Sequence, residues 1–186
     1  MGIARRFACH RAEESKDPVP SSLILLWICC HYLRGGALDD DLRGGVGNDT
    51  LAGGVGNDVL QGNLGRDLVS GGAGDDVILA GTDVDTLTGG TGADLFVFGA
   101  ALDLSDGLGR DRISDFGNGN DHIDLSAFMA GASFIGGASF TAGSGAEVRY
   151  VVATGLLSGD ANDDGLADWS LALIGKPAVV AGDLIL

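Results

Sequence analysis

The alternation of apolar and polar positions settles into a period of nine at Gly35: GGALDDDLR, GGVGNDTLA, GGVGNDVLQ, GNLGRDLVS, GGAGDDVIL, AGTDVDTLT and GGTGADLFV. The eighth position is large and apolar in every unit, at Leu42, Leu51, Leu60, Val69, Ile78, Leu87 and Phe96. The sixth is Asp in every unit, at Asp40, Asp49, Asp58, Asp67, Asp76, Asp85 and Asp94. Two columns held in phase mark a repeat architecture, because a unit this short cannot bury its own apolar face and has to stack on its neighbours. Glycine at positions one, two and four permits left-handed or strained backbone. The first six residues of each unit are therefore predicted to form a tight loop with carbonyls turned inward. The last three are predicted to be extended, with the eighth side chain inside.

If two nines make one coil, residues 18 apart stack at the parallel-strand spacing of about 4.8 Å. Asp40, Asp58, Asp76 and Asp94 then form one column, and Asp49, Asp67 and Asp85 the other. Bare carboxylates at that spacing repel by about 3 kcal/mol per neighbouring pair at an effective dielectric near 20. A cation between them reverses the sign. Carboxylates plus backbone carbonyls in flexible loops suit Ca²⁺, whereas zinc would call for His or Cys. The columns offer three gaps and two, so five calcium sites are expected within the repeats. Asn63 at position two and Asp83 at position four are residue types that tolerate left-handed backbone. Leu38 at position four is not, and Ala80 replaces the glycine at position one, so the loops of Asp40 and Asp85 depart furthest from the pattern.

Composition sharpens this picture. The 186 residues carry a formal charge of −15, which disfavours nucleic acid and anionic membrane surfaces as partners. From Gly35 onward the acids are 22 Asp and one Glu, a bias toward the short carboxylate that serves turns and calcium loops. The 33 Gly accompany 45% apolar residues, which argues against plain disorder. Cys9, Cys29 and Cys30 are the three cysteines, so no disulfide staples the repeats. Residues 1–34 differ in composition and are read as lying outside the fold. Their apolar run Leu23–Cys30 is too short to span a bilayer and has no small-residue cleavage site. A non-functional extension, a degenerate export signal and a local helix all remain open for that segment.

The nonapeptide GGxGxD-x-apolar-x resembles the repeats-in-toxin family of bacterial secreted proteins. That resemblance implies an all-β fold, a right-handed parallel β-roll with Ca²⁺ between its turns, over residues 35–97. After Phe98 the period is lost, and Asp111-Arg112-Ile113-Ser114-Asp115-Phe116 is followed by Asn120-Asp121-His122-Ile123-Asp124-Leu125-Ser126. Short strands are expected around Ile113 and around Ile123 and Leu125, with a turn from Gly117 to Asn120. The block is similar to the I-x-D-F-x-x-G-x-D-x-I-D-L-S signature that follows the repeats in serralysin-type metalloproteases. It implies that Asp115 and Asp121 cap the roll as calcium ligands, while Asx turns at strand ends would use the same residues.

Farther on, Glu147–Leu157 and Trp169–Ile174 are β-rich runs flanking Asp160-Ala161-Asn162-Asp163-Asp164-Gly165-Leu166-Ala167-Asp168, and a hairpin is expected. Asp160, Asn162, Asp164 and Asp168 match the first part of an EF-hand-type calcium loop, but Leu171 stands where its bidentate Glu would be. Either a calcium site or a turn knitted by Asx hydrogen bonds fits. A hairpin of this kind also resembles the serralysin C-terminal domain, read here as a β-sandwich-like region over 98–186. Asp183-Leu184-Ile185-Leu186 resembles the uncleaved signal read by type I secretion exporters, though a terminal edge strand would look the same.

The zinc motif of serralysin-type proteases, H-E-x-x-H-x-x-G-x-x-H, is not in the sequence, whose three histidines are His10, His31 and His122. No G-x-S-x-G occurs either. The reading that follows is a non-catalytic calcium-binding domain of a secreted, extracellular bacterial protein. Its expected partners are calcium and a type I exporter, with no nucleic acid, no stable membrane insertion and a monomeric state. The alternative is a serralysin-like zinc metalloprotease whose catalytic domain is missing from this chain.

Overall fold

The computed structural model describes residues 30–99, 110–117, 120–175 and 177–186. Eight strands follow the nine-residue rhythm: β1 Tyr32–Gly36, β2 Asp41–Val46, β3 Thr50–Val55, β4 Val59–Leu64, β5 Leu68–Ala73, β6 Val77–Thr82, β7 Thr86–Thr91 and β8 Leu95–Val97. Odd-numbered strands pair in parallel in one sheet and even-numbered ones in a second, so each coil spends one nine on either face. The register is 18 residues. Leu33 lies on Leu51, Leu51 on Val69 and Val69 on Leu87, while Leu42 lies on Leu60, Leu60 on Ile78 and Ile78 on Phe96. The two apolar ladders face each other as the core of the roll, every member buried.

The extended stretch is longer than the sequence pattern suggested. Strands such as β3 run from position seven through position three of the next unit, leaving positions four to six as the turn. The glycine at position two makes this possible: Gly54 has φ +121° and still pairs with Gly36 and Gly72. Few side-chain-bearing residues tolerate such a backbone. Asn63 and Asp83 do so at φ 77°, as their residue types led us to expect. The first coil begins at Tyr32, before the change of composition at Gly35, and residues 1–29 lie outside the described segments. A further ladder stitches the outside of the turns, where the Asp39, Asn48, Asn57 and Asp75 side chains accept backbone N–H groups one coil away.

The two sheets continue without a break into the C-terminal region. Strand β9 (Arg112–Ile113) stacks on β7 and β10 (His122–Asp124) on β8, one in each sheet, and part of the turn expected from Gly117 to Asn120 lies outside the described residues. A short helix, α1 (Ser126–Met129), and strand β11 (Ser133–Phe134) follow. Then β12 (Glu147–Val151), β13 (Leu156–Asp160) and β14 (Trp169–Leu173) form an antiparallel meander. The β-rich run Glu147–Leu157 is thus β12 and the start of β13, folded about a turn that ends at Gly155 with φ +74°. β14 docks in parallel on β9, and the terminal strand β15 (Leu184–Ile185) docks on β10. Both apolar ladders are extended in this way, through Ile113 to Leu173 and through Ile123 to Leu184. Trp169 is fully buried, with its ring edge-on to Phe128 at 5.7 Å. It lies against Gly159, where a side chain would collide with the indole.

Candidate metal centre

The turn at positions four to six brings each repeat Asp except Asp85, whose unit starts with Ala80, back against the glycine at position one of its own unit. One carboxylate oxygen of each Asp is engaged in a ladder. Oδ1 of Asp58 accepts the N–H of Asp40 at 2.8 Å, that of Asp76 accepts Asp58, that of Asp94 accepts Asp76 and that of Asp121 accepts Asp94. In the second column Oδ1 of Asp67 accepts the N–H of Asp49 at 2.7 Å, that of Asp85 accepts Asp67 and that of Asp111 accepts Asp85. The two columns expected from the period are therefore real stacks. Asp111 and Asp121 lengthen them beyond the repeats.

The other oxygen is the informative one. Oδ2 of Asp49, Asp58, Asp67, Asp76, Asp85 and Asp94 is buried and has no hydrogen-bond donor. Beside it lies a second acceptor. At Gly44, the point where a Cβ would sit is 2.6 Å from Oδ2 of Asp49 and 2.8 Å from the carbonyl oxygen of Gly62. Gly53, Gly62 and Gly71 repeat the arrangement, each squeezed between its own unit's Asp and a carbonyl of the next coil. Leaving one charged acceptor buried and unmatched costs more than about 1–3 kcal/mol, and here six are aligned. The electrostatics agree: loss of water, opposed by the N–H bond and reinforced by neighbouring carboxylates, pushes Asp67 and Asp76 up to about 6 and Asp85 up to about 8. Asp58 and Asp94 are raised for the same leading reason.

This donor set is oxygen only. Among the described residues no three His, Cys, Asp or Glu side chains converge, so a cation would be held by one or two carboxylates together with backbone carbonyls. The orphaned oxygens and the glycine cradle fit a hard cation such as Ca²⁺, which accepts mixed carboxylate and carbonyl ligands in flexible geometry.

The loop of Asp40 departs from the others, as anticipated from Leu38. Leu38 does not take the left-handed backbone that Gly47, Gly56, Gly65 and Gly74 adopt at position four, and Asp40 is only half-buried. Asp85 keeps its place in the column despite Ala80, and is fully buried. Asp115 stands outside both columns, where its carboxylate accepts the N–H groups of Gly89 and Gly90 at 3.0 and 2.9 Å. Asp121 accepts Gly117 N–H through Oδ2 as well as Asp94 N–H through Oδ1. In the hairpin, Asp160 is fully buried and accepts the N–H groups of Asp163, Asp164 and Gly165. Asp168 accepts from Ala161 and twice from Asn162, while Asn162 and Asp164 each accept from a backbone two residues on. The hairpin loop is thus closed by its own donors.

Asp111 was missed because 26 residues, not 18, separate it from Asp85. Its signal is nonetheless present: Asp111-Arg112-Ile113 and Asp121-His122-Ile123 repeat the Asp-x-apolar spacing of positions six to eight.

Stacked nines with an oxygen-lined turn define a parallel β-roll built from calcium-type nonapeptide repeats. Residues 40–186 match the family described as Peptidase M10 serralysin C terminal, and this chain belongs to that family. Among solved structures, the AlgE6R3 subunit of the Azotobacter vinelandii mannuronan C5-epimerase is 31% identical, with 80% of this chain and 78% of that one covered and a TM-score of 0.38. The AlgE6R2 subunit of the same enzyme is 28% identical over 82% of this chain and 90% of its own, with a TM-score of 0.37. No curated protein sequence gives a match.

Proposed function

We propose that this chain is a calcium-binding repeat domain that folds when Ca²⁺ fills its two Asp columns, and that it serves secretion and folding outside the cell. The observation that carries this reading is the set of six buried, donorless Asp oxygens, each of those at Asp49, Asp58, Asp67 and Asp76 set beside a backbone carbonyl. The ligands proposed are Asp40, Asp58, Asp76, Asp94 and Asp121 in one column and Asp49, Asp67, Asp85 and Asp111 in the other. Four gaps and three result, so up to seven ions replace the five expected from the repeats alone. Asp115 supports the roll by holding Gly89 and Gly90, and the carboxylates of Asp160–Asp168 close their hairpin. Equilibrium dialysis with radioactive calcium tests this. Cooperative binding of several ions is expected, and no binding at millimolar Ca²⁺ would contradict it.

Export follows from the same chemistry. Where free Ca²⁺ is scarce the columns repel and the chain stays unfolded, a state suited to threading through a type I exporter. Abundant Ca²⁺ outside folds it and opposes backsliding. The family supports this reading. Asp183–Leu186 is proposed as the exporter's signal. Ile185 is 40% exposed on the terminal strand whereas Leu184 is buried, so Ile185→Ser spares the core and tests recognition. Secretion by a host bearing a type I exporter is expected to fall. Undiminished secretion would move the signal elsewhere.

Because the matched family is the C-terminal part of a peptidase, a second reading makes this chain a portion of a zinc metalloprotease. The 186 residues alone are expected to hydrolyse no casein with or without zinc, and chelator-sensitive hydrolysis would overturn that.

A further inference from the structure

The nine-residue phase extends one unit further back than the glycines do. His31, Tyr32 and Leu33 occupy positions six, seven and eight of a unit that carries none of the repeat glycines: Leu33 is buried in line with Leu51, and Thr50 N–H bonds to the His31 carbonyl as position seven does throughout the roll. Position six there is His instead of Asp. Its backbone behaves like that of an Asp, donating N–H to Oδ1 of Asp49 at 2.6 Å. Its side chain is 7% exposed and brings Nδ1 to 3.1 Å from Oδ1 of Asp49 and 3.2 Å from the carbonyl oxygen of Gly44.

In the gaps below, Oδ2 of an Asp faces the carbonyl of the glycine thirteen residues on: Asp40 with Gly53, Asp58 with Gly71, and Asp67 with Ala80 at the corresponding position. Two acceptors meet there, and a cation is needed between them. In the first gap the same place is taken by the His31 ring, and Gly44 O and Asp49 Oδ1 can only accept. Nδ1 must then carry the proton and donate. We infer that His31 is a built-in plug of this column: its ring stands where the position-six Oδ2 and a cation stand elsewhere, and its N–H satisfies the Gly44 carbonyl that would otherwise face that cation, so the gap between His31 and Asp49 takes no calcium. This inference rests on the calcium reading of the columns.

The consequence is a change of stoichiometry. His31→Asp restores the two-acceptor pattern and is expected to bind one more Ca²⁺ per chain than the wild type in equilibrium dialysis. In the calcium-loaded wild type, nitrogen-15 NMR of the His31 ring is expected to show a protonated Nδ1. Equal stoichiometry in a wild type and a variant that both bind calcium overturns the inference and leaves the calcium reading standing. An unprotonated Nδ1 in the loaded wild type does the same, and it decides the matter even where the variant fails to fold. A wild type that binds no calcium overturns both.

Discussion

Gly44 shows at single-residue scale why the repeat needs glycine at position one. The space its Cβ would fill is bounded by Oδ2 of Asp49 and the Gly62 carbonyl, the pair proposed to receive a cation. Gly44→Ala is expected to abolish that site and to cost about 1–3 kcal/mol of calcium-loaded stability, as overpacking does. Gly182→Ala meets nothing within 4 Å and is expected to stay within about 0.5 kcal/mol of wild type. Thermal melts in saturating Ca²⁺ compare the two, and equal effects would contradict the cradle. The columns predict a gradient as well. Asp67 bonds to coils on both sides, so Asp67→Ala is expected to weaken two sites, whereas Asp40→Ala, in the irregular loop beside Leu38, loses at most one. Calorimetric titration giving equal losses would count against stacking. The acid titration has a definite sign. Asp67, Asp76 and Asp85 have folded values pushed up to about 6, 6 and 8, above the ordinary value of 3.8, mainly by loss of water. Without calcium their contribution to stability is full below pH 4 and lost as pH rises through 6 and then 8. In EGTA, acidification from pH 8 toward 4 is therefore expected to increase β-structure, while in Ca²⁺ the same acidification weakens binding as protons compete. A metal-free chain whose structure falls on acidification would contradict this.

Among the elements, the repeat strands were legible because two columns never slip, and the eighth-position residues of all seven units are in fact buried. The elements that sequence reasoning misjudged lack that redundancy. Val151-Val152-Ala153-Thr154-Gly155 reads as β-rich because β-branched residues dominate it, and only Gly155 hints at the turn. Positions one to three read as loop because glycine is rare in strands, yet in a parallel roll the stacked glycines of successive coils pair with one another. The hairpin loop reads two ways from sequence, and in the structure Asp160 receives three N–H groups. Asp160→Ala is expected to lower stability by about 1–3 kcal/mol through those unmatched donors and to leave the number of bound ions unchanged. Loss of an ion on calorimetric titration would return calcium to that loop. Terminal strand β15 is the edge strand that the sequence left open beside the export signal, and its Leu184 extends the apolar ladder beyond Ile123. Deleting residues 183–186 should therefore cost stability as well as export, which is why exposed Ile185 is the cleaner test.

For the whole molecule, the balance of forces depends on what fills the columns. Each repeat buries one large side chain per nine residues and orders many glycines, whose conformational freedom is the most costly to lose. No disulfide is available between residues 35 and 186, and the charge I-beam of the roll is two acidic ladders running its length. On the proposed calcium reading, binding energy from the cations is folding energy. The sequence made the columns themselves visible, as an unbroken Asp at the sixth position of every unit. It pointed to Asp121 at one end and concealed Asp111 and His31, which keep the structural phase where the glycine pattern is absent. Far-UV circular dichroism of the full chain at neutral pH, first in EGTA and then in millimolar Ca²⁺, tests the central claim most directly. Little β signal in EGTA and a cooperative gain on adding Ca²⁺ are predicted, and a native-like β spectrum in EGTA, unchanged by calcium, would contradict the account.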